Sequence, residues 1–283
     1  MGAAGDMLMA ALYELCSQAD RAKFLADMNA LLPGVEVRPQ AARRQGIAGT
    51  HMSVLVHGRE EGEPHGHDHD HHHGHEHDHE HPHGHEHDHD HGHSHTHQHR
   101  SLADVLAVID GFVGLPAPVR EKAKTVYGLI AQAESRAHGV PVGEVHFHEV
   151  GALDAVVDVT GVCYLAHLLA PDEVACSPVA VGSGTVRTAH GLLPVPAPAT
   201  AHLLEGVPVT TGEVEAELCT PTGAALLKML ADSFRPMPAG RVLGCGYGCG
   251  TKDFPRANCL RAFLLDTAGS AQGPNDTVTE LRA

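Results

Sequence analysis

Histidine occupies nearly every second position between His65 and His99, mostly with Asp, Glu or Gly between the histidines. Imidazole and carboxylate groups are common ligands of borderline transition metals. Apart from Pro82 the segment contains no apolar residue that could build a core, so we expect it to be disordered without metal. We predict that it holds several exchangeable ions weakly, with Ni, Zn, Co and Cu all open. The candidate ligands at its start are His67, His69, His71, His73, His75, His77 and His79.

The same histidine-rich segment is also compatible with a solvated, pH-sensitive linker or with a histidine tag. A tag would not be expected inside the chain or interspersed with acidic residues. We therefore favour metal handling.

A second group of potential ligands lies between His146 and Asp158, where the sequence reads HFHEVGALDAVVD. In a strand, His146 and His148 point to the same face, and in a following helix Asp154 and Asp158 share one face. A strand-turn-helix would bring these side chains and Glu149 near one point, which suits a divalent ion or acid–base catalysis. The alternative is a pair of ordinary histidines beside acidic residues that complement the helix dipole.

Two short loops precede predicted helices. Residues 1–7 read MGAAGDM, and glycines before a helix let backbone N–H groups cradle an anion. Gly2, Gly5 and Asp6 are therefore candidate cofactor-binding residues, with a simple glycine-rich terminus as the alternative. Residues 219–223 read CTPTG, which a threonine cap followed by proline at the first helical position explains fully.

A glycine-rich stretch, GCGYGCGTKD, covers residues 244–253. Its two thiols are four residues apart and could bind a soft metal. A hairpin over residues 240–250 is the more natural interpretation of so many glycines. Lys252 and Arg256 are then candidate phosphate contacts, and Lys252 is counted among the cofactor-binding residues.

Composition and charge exclude several classes of function. The net charge is −16 with histidine neutral, and half of it lies in the histidine-rich segment. The mildly acidic remainder argues against nucleic acid or an anionic membrane as a partner. The seven cysteines are scattered and odd in number, which is typical of reduced cytoplasmic thiols. We expect a cytoplasmic protein without a signal peptide or a membrane-spanning segment.

The elements that position these residues alternate between helix and strand along the chain. Ser101 and Asp104 form a capping-box pattern, and Gly139 ends a long amphipathic helix. Apolar spacing predicts helices at 6–16, 19–32, 102–112, 116–138 and 152–169, and from about 196 and 220. Strands are predicted at 35–38, 51–56, 141–148, 173–181, 207–210 and 258–266. We predict an α/β or α+β fold in which helices pack on a mixed sheet.

The histidine-rich segment divides the chain. We predict a helix-helix-hairpin part at 1–57, a disordered metal-binding insertion at 58–100 and the main α/β part at 101–270. Residues 271–283 are interpreted as the start of a further domain.

Four sequence blocks occur in a characteristic order: VHFHEVGALDAVVDVTG, LLPVPAPAT, ELCTPTGAALL and GYGCGTKDFPRANCLR. With GAAGDM at the start, they closely resemble the nickel insertion proteins of nickel-pincer cofactor biosynthesis. The resemblance covers essentially the whole chain, and the histidine-rich insertion falls where family members carry theirs.

The resemblance implies delivery of Ni(II) into pyridinium-3,5-bisthiocarboxylic acid mononucleotide. The product would be the (SCS)nickel pincer cofactor of lactate racemase and related enzymes. It further implies a CTP-dependent cyclometallation, a lyase-class reaction with Mg or Mn as helper ion. A cyclometallation needs a base for the ring C–H proton, and His146, His148 and Glu149 are the candidates.

Family members begin with a short strand that this chain lacks. They also continue into a second domain that handles CTP, of which this chain carries only the start. The resemblance therefore implies that this chain is the metal-supplying half. Its expected partners are that C-terminal domain and an apo enzyme such as lactate racemase, and the chain alone is expected to be inactive. Two other functions stay open: a histidine-rich nickel or zinc store without catalysis, and a metal-dependent hydrolase that uses His146, His148 and Asp154.

The histidine-rich segment generates the first prediction. Residues 65–99 should bind several Ni(II) ions with an affinity that falls at acid pH, because an imidazole with a reference pKa of ~6.5 must lose its proton to bind metal. Isothermal titration at pH 7.5 and pH 5.5 measures this difference, and equal affinity at both values would contradict the prediction. Deletion of the segment should leave the fold intact.

Overall fold

The computed structural model describes residues 2–60, 100–267 and 277–282. The histidine-rich segment and the ligands predicted within it lie outside the described residues. Within the described residues there are seven α-helices and a mixed β-sheet, which confirms the predicted fold class. The helices are α1 Gly5–Leu15, α2 Gln18–Met28, α3 Leu102–Asp110, α4 Ala117–His138, α5 Leu153–Leu169, α6 Pro198–Leu203 and α7 Pro221–Leu230.

The strands form one large sheet and three small pairs. They are β1 Val35–Arg44, β2 Ile47–Val56, β3 Arg59–Glu60, β4 Arg100–Ser101, β5 His146–Phe147, β6 Glu173–Cys176, β7 Val179–Ala180, β8 Thr185–Thr188, β9 Gly191–Pro194, β10 Val209–Thr210, β11 Ser233–Phe234, β12 Arg241–Cys249, β13 Cys259–Asp266 and β14 Thr277–Arg282. The large sheet has the order β1-β2-β12-β13-β14-β6-β11, with β3 paired to β2. The small pairs are β4 with β5, β7 with β10 and β8 with β9.

Local signals set several helix boundaries as predicted. Ser101 caps α3 with the reciprocal bonds of a capping box, in which Asp104 bonds back to the Ser101 backbone. Gly139 ends α4 in the left-handed conformation at a φ of 68°. Thr220 caps α7 by accepting a hydrogen bond from the Gly223 amide at 3.2 Å. These contacts form within a few residues of chain, which explains why sequence patterns predict them.

Other predicted elements differ from the structure. The hairpin predicted at 240–250 is wrong, because these residues contribute the single strand β12, which pairs with β13 across the loop that joins them. The strand predicted at 141–148 is mostly a short 3₁₀ helix, Val142–Glu144, followed by β5. The hairpin of β8 and β9 was not predicted.

The proposed domain boundaries stay predictions. The hairpin of β1 and β2 joins the large sheet through contact of β2 with β12. The backbone of β14 lies between β13 and β6 in that same sheet. In the part of the chain that the structure describes, no helix combines the length and the apolar character needed to cross a membrane.

Helix α1 packs directly against a face of strand β12 that carries glycines instead of side chains. Residues two apart in a strand face the same side, and here alternate residues are glycines. A Cβ atom on Gly246 would lie 2.1 Å from the Ala11 carbonyl oxygen, and one on Gly248 would lie 1.8 Å from that of Met7. The absence of side chains therefore allows backbone-to-backbone packing, and the residues from Met7 to Leu12 are all buried.

The close packing on β12 generates the second prediction. Gly248→Ala should lower the free energy of unfolding by about 3 kcal/mol, because backbone atoms of α1 cannot move away without disturbing the core. Gly128→Ala is the matched control, since nothing lies within 4 Å of its added Cβ. The control should raise stability by up to about 1 kcal/mol, because alanine favours a helix interior. Urea denaturation measures both changes, and an unaltered Gly248→Ala midpoint would contradict the packing argument.

Candidate functional site

His148 lies in a loop between β5 and α5 that is fixed from both sides. The buried Tyr127 hydroxyl, on α4, donates a hydrogen bond to the Val150 carbonyl oxygen at 2.9 Å. The Arg100 guanidinium, on β4, donates one to the Gly151 carbonyl oxygen at 2.7 Å. The loop therefore has a defined position relative to α4 and to the strand that follows the histidine-rich segment.

Three imidazoles from separate parts of the chain meet beside this loop. The His148 and His190 ring centroids are 4.5 Å apart with the rings nearly perpendicular, and the His190 and His138 centroids are 4.7 Å apart. His138 lies in the last turn of α4, and His190 lies in the turn between β8 and β9. We call His138, His148 and His190 the histidine cluster.

Carboxylates border the histidine cluster. The Glu134 Oε2 atom lies 3.4 Å from His138 Nε2, one helical turn away on α4. Burial raises the pKa of the Glu134 carboxyl, His138 and His190 oppose that rise, and Glu149 adds to it. The histidine cluster, Glu134 and Glu149 are thus within electrostatic reach of one another.

Glu149 also links this region to a third carboxylate. Burial raises the pKa of Glu217, the exposed Lys252 opposes the rise, and Glu149 adds to it. The candidate phosphate contact Lys252 and Glu149 therefore both lie within electrostatic range of Glu217.

The other residues predicted from 146–158 are His146, Asp154 and Asp158. His146 is exposed on β5, where it adds to the lowering of the Asp104 pKa that hydrogen bonds from Ser101 mainly cause. Asp154 and Asp158 lie near the Tyr127 hydroxyl, whose pKa is raised mainly by burial and further by these two carboxylates.

Asp154 and Asp158 therefore lie beside the same Tyr127 hydroxyl that holds the loop of His148 and Glu149. Within residues 2–60, 100–267 and 277–282, no three His, Cys, Asp or Glu side chains converge as a preformed metal site. The predicted catalytic and metal-binding roles of these residues stay predictions.

The glycines of the N-terminal loop have a packing role. A Cβ atom on Gly2 would lie 1.5 Å from the Leu218 carbonyl oxygen, and one on Gly5 would lie 3.0 Å from the Asp158 Cβ. Asp6 is 3.9 Å from Nδ1 of His51. Close packing is sufficient reason for both glycines, and their predicted cofactor-binding role, like that of Asp6, stays a prediction.

The two thiols of the glycine-rich stretch do not form a metal site. Cys245 and Cys249 lie four residues apart on β12, which separates them by roughly 13 Å in an extended strand. One ion cannot bind both thiols across that distance. Burial also raises the pKa of Cys249 to about 11, which keeps it protonated at neutral pH.

The sequence patterns missed His138, His190 and Glu134. Glu134 and His138 are four apart in a predicted helix, which is a signal that they share a face. His190 precedes Gly191 in a turn that was not predicted, so nothing local connects it with His148.

The anchored loop generates the third prediction. Tyr127→Phe removes the hydrogen bond to Val150 and should lower the free energy of unfolding by about 1 kcal/mol. It should also speed amide hydrogen exchange in residues 148–152. Tyr164→Phe is the matched control, because it removes a tyrosine bond to Asp27, far along the chain from this loop. Equal exchange in the loop for both variants would show that Tyr127 does not fix the site.

Comparisons with known proteins give the family. The family model described as nickel insertion protein matches residues 1–283. A Geotalea daltonii protein named "Putative nickel insertion protein" is 37% identical over 281 residues, which cover 99% of this chain and 62% of that protein. One of the same name from Dictyoglomus thermophilum is 35% identical over 280 residues, covering 99% of this chain and 62% of that protein.

A third relative, from Staphylococcus saprophyticus, is named pyridinium-3,5-bisthiocarboxylic acid mononucleotide nickel insertion protein. It is 45% identical over 164 residues, which cover 58% of this chain and 42% of that protein. No solved structure matches the chain. The chain spans about three-fifths of the length of the first two relatives. With a family model that matches it from end to end, the chain belongs to the nickel insertion protein family.

Proposed function

We propose that this protein binds Ni(II) and delivers it into pyridinium-3,5-bisthiocarboxylic acid mononucleotide, the compound in the names of its staphylococcal relatives. The finished nickel-pincer cofactor would serve enzymes such as lactate racemase. One observation carries the proposal: the pairing of β4 with β5 connects the histidine-rich segment to the loop that holds His148.

The connection is short and direct. In the β4–β5 pair, Arg100 lies opposite Phe147 and Ser101 opposite His146. Arg100 follows His99 in the sequence, and His148 follows Phe147. An ion bound near the end of the segment is therefore tethered close to His148, which raises its effective concentration there without tight binding.

The ligand chemistry suits transfer. Imidazole and carboxylate hold Ni(II), while the thiocarboxylate sulfurs and ring carbon of the precursor offer it a planar site. Insertion breaks the ring C–H bond, forms a Ni–C bond and releases one proton. His148 or Glu149 would take that proton, with His146 as the other candidate, and Lys252 would contact the phosphate of the mononucleotide.

The nucleotide requirement belongs to the same proposal. We assign CTP, with its Mg or Mn ion, to the part of the relatives that this chain does not span. No step at the histidine cluster depends on it. The contribution of this chain is to hold Ni(II), present it to the precursor and accept the ring proton.

The fourth prediction tests insertion. The chain is incubated with Ni(II), the mononucleotide and CTP, with and without the separately expressed remaining part of a relative, and activation of apo lactate racemase is scored. His148→Ala should reduce the activation rate at least about a hundredfold, the scale of a lost acid–base group. Total nickel bound and thermal stability should stay nearly unchanged, since the histidine-rich segment is intact.

The matched control for insertion is His167→Ala, an exposed histidine in the last turn of α5 with no place in the proposed site. It should activate the racemase at the unmodified rate. Activation by His148→Ala at that same rate would refute the role of the loop. If no preparation activates the racemase while nickel binding persists, the protein is a nickel store. Hydrolysis with bound zinc that does not need the precursor would instead identify a hydrolase.

A further inference from the structure

We propose that His138, His148 and His190, together with the Glu134 carboxylate, bind one Ni(II) ion. The choice of nickel rests on the proposed function, whereas the site itself rests on geometry. Two of the three histidines lie outside the 146–158 block. The proposal therefore assigns the defined metal site to parts of α4 and the β8–β9 hairpin as well as to the loop after β5.

The spacing of the rings fits neighbouring positions around one ion. A metal–imidazole bond is about 2.1 Å long, so two imidazoles at right angles on one ion have ring centroids roughly 4.5–5 Å apart. The observed centroid distances are 4.5 and 4.7 Å, with His190 between the other two. The rings contact one another in the structure, and rotation of the exposed His138 and His190 side chains, a fast motion, would turn their nitrogens toward an ion shared with the half-buried His148.

The backbone positions of the cluster are already fixed. The Thr188 Oγ1 accepts a hydrogen bond from the His190 amide at 3.1 Å, which stabilises the turn of the hairpin. On α4, Tyr127, Glu134 and His138 are spaced by seven and four residues, so they lie along one face of the helix. Tyr127 anchors the His148 loop to that same face. Binding would therefore order side chains only.

The donor set suits an exchangeable ion. Three imidazoles and one carboxylate are acceptable ligands of Ni(II), and a fourfold set leaves positions open for an incoming precursor. His138 and His190 are exposed, so the ion would be reachable from solvent. Glu149 lies within electrostatic range of Glu134 and, with His148 bound to the ion, is the base left for the ring proton.

The fifth prediction tests this site with Ni(II) alone, on the full chain. Free Ni(II) is set by a nitrilotriacetate buffer, histidines are modified with diethyl pyrocarbonate, and mass spectrometry assigns each modified residue. His138, His148 and His190 should become protected together, at a lower free Ni(II) than His167. In His190→Ala, protection of the other two should need about tenfold more Ni(II) or higher, because losing a ligand costs at least as much as losing one of its supporting contacts.

The control His167→Ala should leave protection of the cluster unchanged. If His190→Ala fails to fold by circular dichroism, His190→Asn replaces it, because asparagine suits a turn. Protection of His138 and His148 that is unmoved by loss of His190, or that appears only where His167 is also protected, would overturn the site. Joint protection combined with failed racemase activation would instead leave the site intact and refute the proposed insertion.

Discussion

The whole arrangement depends on the direct backbone contact of helix α1 with its neighbours. Gly246 and Gly248 on β12 let the helix lie against the large sheet. On its other sides, Gly161 of α5 leaves room for Met9, and Gly223 of α7 faces the Ala3 carbonyl oxygen, which a Cβ atom would approach to 2.1 Å. A side chain at Gly246 or Gly248 would push α1 away, because it would meet backbone atoms of α1 and a packed interior has few voids to absorb the added atoms.

The contact between α1 and α5 fixes the end of the loop that carries His148. Helix α5 begins directly after the loop that carries His148, and its Asp158 packs against Gly5 at the start of α1. Helix α4 crosses the same loop and holds it through Tyr127. Since Arg100 of β4 and Tyr127 of α4 both hold this loop and α5 begins at its end, these elements fix its position. His148 on the loop therefore keeps its spacing from His190 in the β8–β9 turn, which in turn contacts His138 on α4.

Sequence patterns predict what neighbouring residues decide and miss what distant residues decide. The cap at Ser101 and the end of α4 at Gly139 act within one helical turn, so both were predictable. The pairing of β14 with β6 was not predictable, because it depends on backbone hydrogen bonds, which carry no side-chain signal in the sequence. In the same way, His148 was a candidate through its neighbours His146 and Glu149, whereas His190 meets it only after the β8–β9 hairpin forms.

Buried thiols and the histidine cluster differ in their availability to a metal ion. Burial raises the pKa of Cys16 to about 11 and that of Cys163 to about 12, so both stay protonated thiols, which are poor metal ligands. The histidine cluster instead offers nitrogen donors, of which His138 and His190 are exposed and His148 is half-buried. Under the proposed function this difference favours transfer. Thiolate ligands would compete with the thiocarboxylates of the precursor for Ni(II), whereas imidazoles would release the ion to them.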